Sequence, residues 1–141
     1  MKNKVKFGYT SWLPETPMIV KFIEALKEGK LMGTKCKKCG AKYLPPRAHC
    51  KCGSHEVEWY EAPTRGKLFS YTLVTFPPDS MTSYAPYIVA VAELEDGSRL
   101  LAQITGVSPK TLQVGLPLQV VSHQISEDRI VYKFKLEQPA S

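Results

Sequence analysis

The stretch Cys36-Lys37-Lys38-Cys39-Gly40, followed by Cys50-Lys51-Cys52-Gly53, decides how this chain is read. It holds all four cysteines of a 141-residue sequence, spaced C-x2-C-x10-C-x-C. Zinc takes four soft donors at the corners of a tetrahedron, and two paired knuckles bring four thiolates together from a short length of chain. The glycines after Cys39 and Cys52 let the backbone turn so that its N–H groups face sulfur. Four unrelated buried thiols would not fall in pairs. A redox C-x-x-C sits in a thioredoxin-like βαβ context, which the flanking sequence does not offer. The second knuckle is one residue short. Cys36, Cys39, Cys50 and Cys52 are the preferred ligands, but His49 and Cys52 have the usual x2 spacing, so His49 in place of Cys50 stays open. His55 is a remoter donor. In either case the shell is full, with no open position for water, and the metal is expected to fold a segment too small for its own core.

Working outward toward the C-terminus, residues 63–141 read as a series of strands. Gly66–Phe76 is rich in β-branched and aromatic residues, and Tyr87–Leu94 is an apolar run. Asp96-Gly97 is a strong hairpin signal, with Arg99–Ile104 as the return strand. Pro117–Ile125 and Arg129–Leu136 form a second pair, and Ile130, Tyr132, Phe134 and Leu136 alternate as in a half-buried strand. Five strands without a long helix predict a small closed barrel, and the OB-fold is the commonest barrel of that size. The loop 77–86 is long and polar, a type that often carries function.

Toward the N-terminus, Thr16 reads as an N-cap with Pro17 at the first helical position. Met18, Ile19, Phe22, Ile23 and Leu26 recur at helical spacing, and Gly29 is placed to end the helix. A helix this short is marginal alone, so its apolar stripe must pack on the rest of the chain or on another protein. Phe7, Tyr9, Trp12 and Leu13 lie outside any periodic pattern, and large apolar groups in such an arm are expected to dock. The expected organisation is an arm and amphipathic helix over 1–30, a four-cysteine metal-binding segment over 31–62 and an OB-fold over 63–141. The fold class is therefore mainly β with an N-terminal α-helical arm.

Charge separates the same regions. The net charge is +6, with 14 Lys+Arg against 6 Asp+Glu in residues 1–67 and 5 against 7 in residues 68–141. A basic front half fits an anionic partner. Nucleic-acid OB-folds carry basic and aromatic residues on the barrel, yet here the barrel half is acidic, so nucleic acid becomes the secondary reading. No run reaches the ~18 apolar residues of a membrane span, and Met1–Lys6 lacks the apolar continuation of a signal peptide. A cytoplasmic location with reduced thiols is expected. The chain offers no nucleophile elbow, no phosphate-cradling glycine loop and no H-E-x-x-H. His123 sits in a strand pattern, and Glu93 and Glu95 flank a turn rather than forming a dyad. No autonomous catalysis is expected.

These features resemble the DUF35 family. The resemblance rests on C-x-x-C-G, then Tyr43-Leu44-Pro45-Pro46-Arg47, then a second knuckle ending in Cys52-Gly53-Ser54. It continues in Pro63–Thr72 as the lead-in to the barrel, Ala85–Val91 as its second strand and Gly115–Val120 as the opening of its fourth, and covers about residues 15–137. The family implies a rubredoxin-like zinc ribbon before an OB-fold. It also implies a role as accessory subunit of acyl-CoA enzymes, with acetoacetyl-CoA thiolase and hydroxymethylglutaryl-CoA synthase as partners. Coenzyme A carries three phosphate groups and a long pantetheine arm. On that reading Arg47, Arg65 and Lys67 are expected to meet phosphate, and Tyr71, Thr72, Tyr84 and Tyr87 to line the pantetheine.

Overall fold

The computed structural model describes residues 6–7 and 16–137. Strand β1 (Lys6–Phe7) is followed by helix α1 (Pro17–Lys27). Three strands of the ribbon come next: β2 (Met32–Cys36), β3 (Lys42–Tyr43) and β4 (Val57–Glu61). Five longer strands follow: β5 (Arg65–Val74), β6 (Tyr87–Leu94), β7 (Arg99–Ile104), β8 (Pro117–Ser126) and β9 (Arg129–Leu136). These last five match the five strands expected from the sequence, to within a residue or two at most ends. The loop after β5 is not featureless, because Asp79–Tyr84 forms a 3-10 helix.

The five strands close on themselves. β5 pairs antiparallel with β6 and β8, β6 with β7, and β8 with β9, while Ile104 of β7 lies parallel to Phe134 of β9. Closure removes the exposed sheet edges that invite aggregation. Leu68, Ala92, Leu100, Leu118 and Phe134 fill the interior and are almost wholly inaccessible. Along β6 the alternation is regular: Ile88, Ala90, Ala92 and Leu94 are buried, and Tyr87, Val89 and Val91 only half so. Along β9, Ile130, Tyr132 and Phe134 join the core, and Val131 on the opposite side is buried as well. At the β6–β7 turn Gly97 takes φ +86°, which a side chain would resist, and the Asp96 carboxylate accepts the Ser98 amide.

The helix is built as its sequence indicates. The Thr16 hydroxyl accepts the Ile19 amide at 3.3 Å, Pro17 opens the first turn, and Gly29 at φ +82° ends the helix. Its stripe is spent on this chain. Phe22, Ile23 and Leu26 are buried in the same cluster as the barrel interior, and Phe22 meets the Tyr132 ring edge-on with centroids 6.1 Å apart. The choice left open between the chain's own core and another protein is thereby decided for the core. Lys6–Phe7 pairs parallel with Arg129–Ile130. Tyr9, Trp12 and Leu13, expected in a docking arm, lie outside the described residues.

The ribbon is a three-stranded sheet with β2 central between β3 and β4. Its base is continuous with the barrel, since Leu31 and Ala62 are buried in the common core and Trp59 and Tyr60 pack against it. Among the described residues no helix is long and apolar enough to cross a membrane.

Candidate functional site

The two knuckles hang from the far end of the ribbon. β2 ends at Cys36, and the chain turns through Cys39 and Gly40 before returning as β3. Gly40 and Gly53 take φ of +79° and +90° with open space where a Cβ would stand, so each is there for its backbone turn. The Gly40 amide donates to the Cys36 carbonyl, and the Gly53 amide to the Cys50 carbonyl.

These turns bring the four sulfurs of Cys36, Cys39, Cys50 and Cys52 within 4.8 Å of one another. Cys36 Sγ lies 3.8 Å from Cys52 Sγ, and Cys39 Sγ 3.2 Å from Cys50 Sγ. A disulfide would need about 2.05 Å. Zinc–sulfur bonds of about 2.3 Å set tetrahedral edges of roughly 3.8 Å, so the cage has the size of a zinc site. Among the described residues this group contains Cys50 and not His49; the His49 ring instead meets His55 edge-on at 4.3 Å.

The sulfurs are chemically antagonistic without a cation. Amides of Cys39 and then Lys38 hold the Cys36 thiol below its ordinary range against burial. The Cys52 amide, followed by the Tyr43 hydroxyl, holds Cys50 down to about 6. The Ala41 amide pulls Cys39 down too, but the neighbouring Cys50 sulfur and burial outweigh it and push that thiol up to about 11. Four thiolates this close cannot all ionise unless positive charge joins them, and a divalent metal supplies it. The donors thus fit a closed four-sulfur zinc site in number, spacing and chemistry.

Two ribbon residues that sequence reasoning left unassigned belong to this construction. Thr34 is wholly buried, and its hydroxyl accepts the Arg47 amide while donating to the Arg47 carbonyl, both at 2.9 Å. It thereby fixes the Pro45-Pro46-Arg47 segment between the knuckles. Its one sequence signal is its position two residues before Cys36, which puts both on one face of β2. Tyr43 directs its hydroxyl at Cys50 Sγ, 3.3 Å away.

The residues expected to meet coenzyme A are distributed as follows. Arg47 is on the ribbon, exposed, with its guanidinium 5.0 Å from the centroid of the Tyr43 ring. Arg65 and Lys67 line a cavity of about 440 Å³ together with Glu93, Glu95 and Glu137. Arg65 Nε is 3.4 Å from Glu137 Oε1, and Glu93 also pairs with Arg99 at 3.5 Å. Three carboxylates therefore face two cations, and the mouth is less basic than the sequence led one to expect.

A bulge at Phe69 shifts the register of β5 against β6 between Leu68 and Ser70. As a result Arg65, Lys67 and Thr72 share the outer face with Val89, Val91 and Tyr87, whereas Tyr71 falls on the inner side beside Ala90. The Tyr71 hydroxyl donates to the Leu112 carbonyl at 3.1 Å. The Tyr87 hydroxyl meets Met81 Sδ at 3.5 Å, and Tyr84 is exposed. Neither Tyr71, Tyr84 nor Tyr87 fills the barrel.

A four-sulfur ribbon whose last strand leads straight into a closed five-stranded OB barrel defines the class. Family models agree: the rubredoxin-like zinc ribbon domain of ChsH2 matches residues 24–58, and the C-terminal OB-fold domain of ChsH2 matches residues 59–123. The chain belongs to the DUF35 family. It is 33% identical over 133 residues to a DUF35 domain-containing scaffold protein of Methanocaldococcus jannaschii, covering 89% of this chain and 94% of that one. It is 28% identical to the benzoylsuccinyl-CoA thiolase subunit BbsA of Thauera aromatica, over 80% of this chain and 83% of the relative. Among solved structures, the Ltp2-ChsH2(DUF35) aldolase superposes with TM-score 0.73 at 26% identity, covering 89% of this chain and 98% of that chain.

Proposed function

We propose that this chain is a non-catalytic accessory subunit of an acyl-CoA enzyme. It docks a thiolase-fold partner and contributes one wall of an acyl-CoA site. The observation that carries the reading is the outer face of β5, β6 and β7. There Phe69 and Leu101 are 43% and 59% exposed beside half-buried Val89 and Val91. Beyond the end of β5, Phe76 is 94% exposed. Apolar surface of this kind marks a docking site, and it fits relatives named as a scaffold protein and a thiolase subunit.

The same face supports a shared acyl-CoA site. Its cations, Arg65 and Lys67, lie at one end, and Thr72 and Tyr87 at the other, so phosphates and pantetheine would each meet suitable groups. Arg47 would add a donor from the ribbon, and Tyr71 would contribute from the inner side near its mouth. Because Glu137 already holds Arg65, affinity by this chain alone is expected to be weak until a partner closes the other wall. One zinc, bound through Cys36, Cys39, Cys50 and Cys52, serves to fold the ribbon. The division into an arm and helix (1–30), ribbon (31–62) and OB-fold (63–141) is part of the proposal.

The test is a pull-down of tagged chain from native lysate, with co-purifying proteins identified, followed by calorimetric titration of coenzyme A and of single-stranded oligonucleotide into the subunit and its complex. Recovery of a thiolase or a hydroxymethylglutaryl-CoA synthase, with a coenzyme A response in the complex, is expected. Strong, salt-sensitive oligonucleotide binding without any coenzyme A response would transfer the case to a nucleic-acid module.

A further inference from the structure

The two knuckles do not treat their first cysteines alike, and the difference falls where the sequence is one residue short. In the four-residue knuckle, the Cys39 amide donates to Cys36 Sγ at 3.5 Å. That is the third residue after the ligand. In the three-residue knuckle the third amide does not reach the sulfur, because Gly53 has already turned back to donate to the Cys50 carbonyl. Cys50 is therefore left one amide donor poorer than Cys36.

Tyr43, reaching across from β3, stands where that donor is missing. Its hydroxyl accepts the Lys51 amide at 2.9 Å and donates to Cys50 Sγ at 3.3 Å. One hydroxyl thus satisfies the inner residue of the short knuckle and passes a hydrogen bond on to the sulfur. Only a group that both accepts and donates can do this, which a phenol can and a phenylalanine cannot. The ring is braced by the Arg47 guanidinium on its face, and Arg47 is itself fixed through its backbone by buried Thr34.

We infer that Tyr43 is a positioning residue of the metal centre, replacing the amide donor that the shortened Cys50-Lys51-Cys52 knuckle lacks and orienting Cys50 as a metal ligand. Outer-shell donors of this kind orient the ligating atom and tune its charge, and their loss typically costs about 10–100-fold in metal affinity.

The experiment compares zinc-loaded wild type with Tyr43→Phe, which keeps the ring and its stacking and removes only the hydroxyl. Zinc retention is read by competition with a colorimetric chelator. In parallel, cobalt(II)-substituted protein reports the thiolate-to-metal charge-transfer band, which a packing change alone would leave in place. Tyr43→Phe should bind zinc about 10–100-fold more weakly and shift that band. A second background carries one glycine inserted after Lys51, which restores the four-residue spacing and its third amide. There Tyr43→Phe should cost less than about twofold, the knuckle having recovered its own donor. Unchanged zinc retention with an unchanged cobalt band in Tyr43→Phe overturns the inference. So does an equal loss in both backgrounds, which would mean that Tyr43 does not stand in for an amide. Failure of the lengthened knuckle to bind zinc at all counts against it too.

Discussion

From Lys37 to Glu56 the ribbon buries a single side chain, that of Cys50. Across β6 alone, the barrel buries Ile88, Ala90, Ala92 and Leu94. The barrel is held by apolar area removed from water, at roughly 1.5–3 kcal/mol for each large side chain fully buried. The outer ribbon has little such reserve, with half-buried Leu44 packing against the core cluster, and segments this small usually need a metal or disulfides. The difference teaches that one short chain can carry two stabilising principles in series. They meet at Leu31 and Ala62, which belong to the barrel's core cluster although they flank the ribbon strands.

That division can be broken at either end. The largest effect is expected from Cys36→Ser or from stripping the metal. Amides across residues 36–57 should lose hydrogen-exchange protection while those of β5–β9 keep theirs, as NMR would record. Simultaneous loss in the barrel would show that Leu31 and Ala62 couple the two into one unit. Next is Phe134→Ala, which empties a wholly inaccessible site and should cost about 3–5 kcal/mol in denaturant unfolding. Below its lowered melting temperature this variant should still bind one zinc per chain by elemental analysis.

A smaller effect sharpens the comparison at the junction. A Cβ on Gly66 would run into the Glu93 carbonyl and the Leu94 backbone across the sheet. Gly66→Ala should therefore destabilise the barrel by about 1–3 kcal/mol, read from thermal unfolding, and leave zinc retention unchanged. The smallest effect on stability is expected from Leu101→Ser on the exposed outer face. It should shift unfolding by no more than about 0.5 kcal/mol, yet weaken capture of the partner enzyme in a pull-down. A variant that captures its partner as well as wild type would move the docking surface elsewhere.

Much of this is legible in the sequence. Strand ends followed from turn residues such as Asp96-Gly97 and from the alternation in β9, because burial on one face imposes a period of two. Thr16-Pro17 fixed the start of α1, because a cap and a preset φ act locally. The four-thiol cage was legible because thiol spacing is a property of the chain itself. The candidate acyl-CoA residues were less so. Arg65 and Lys67 do share a cavity, but Glu93, Glu95 and Glu137 enter it from β6, its following turn and the end of β9, which no local pattern announces.

The sequence by itself determined the four-cysteine ribbon, the five strands and the amphipathic helix, since each depends on spacing and on the chemistry of neighbouring residues. Tertiary structure alone decided the rest. It docked Phe22, Ile23 and Leu26 on the chain's own barrel, and through the bulge at Phe69 it put Tyr71 on the face opposite Lys67 and brought Thr72 to the same face as Lys67. It also carried the Tyr43 hydroxyl to Cys50, seven residues away. The reason is the same in each case: an extra residue in a strand, or a side chain reaching between strands, changes which groups meet in space without changing any local pattern.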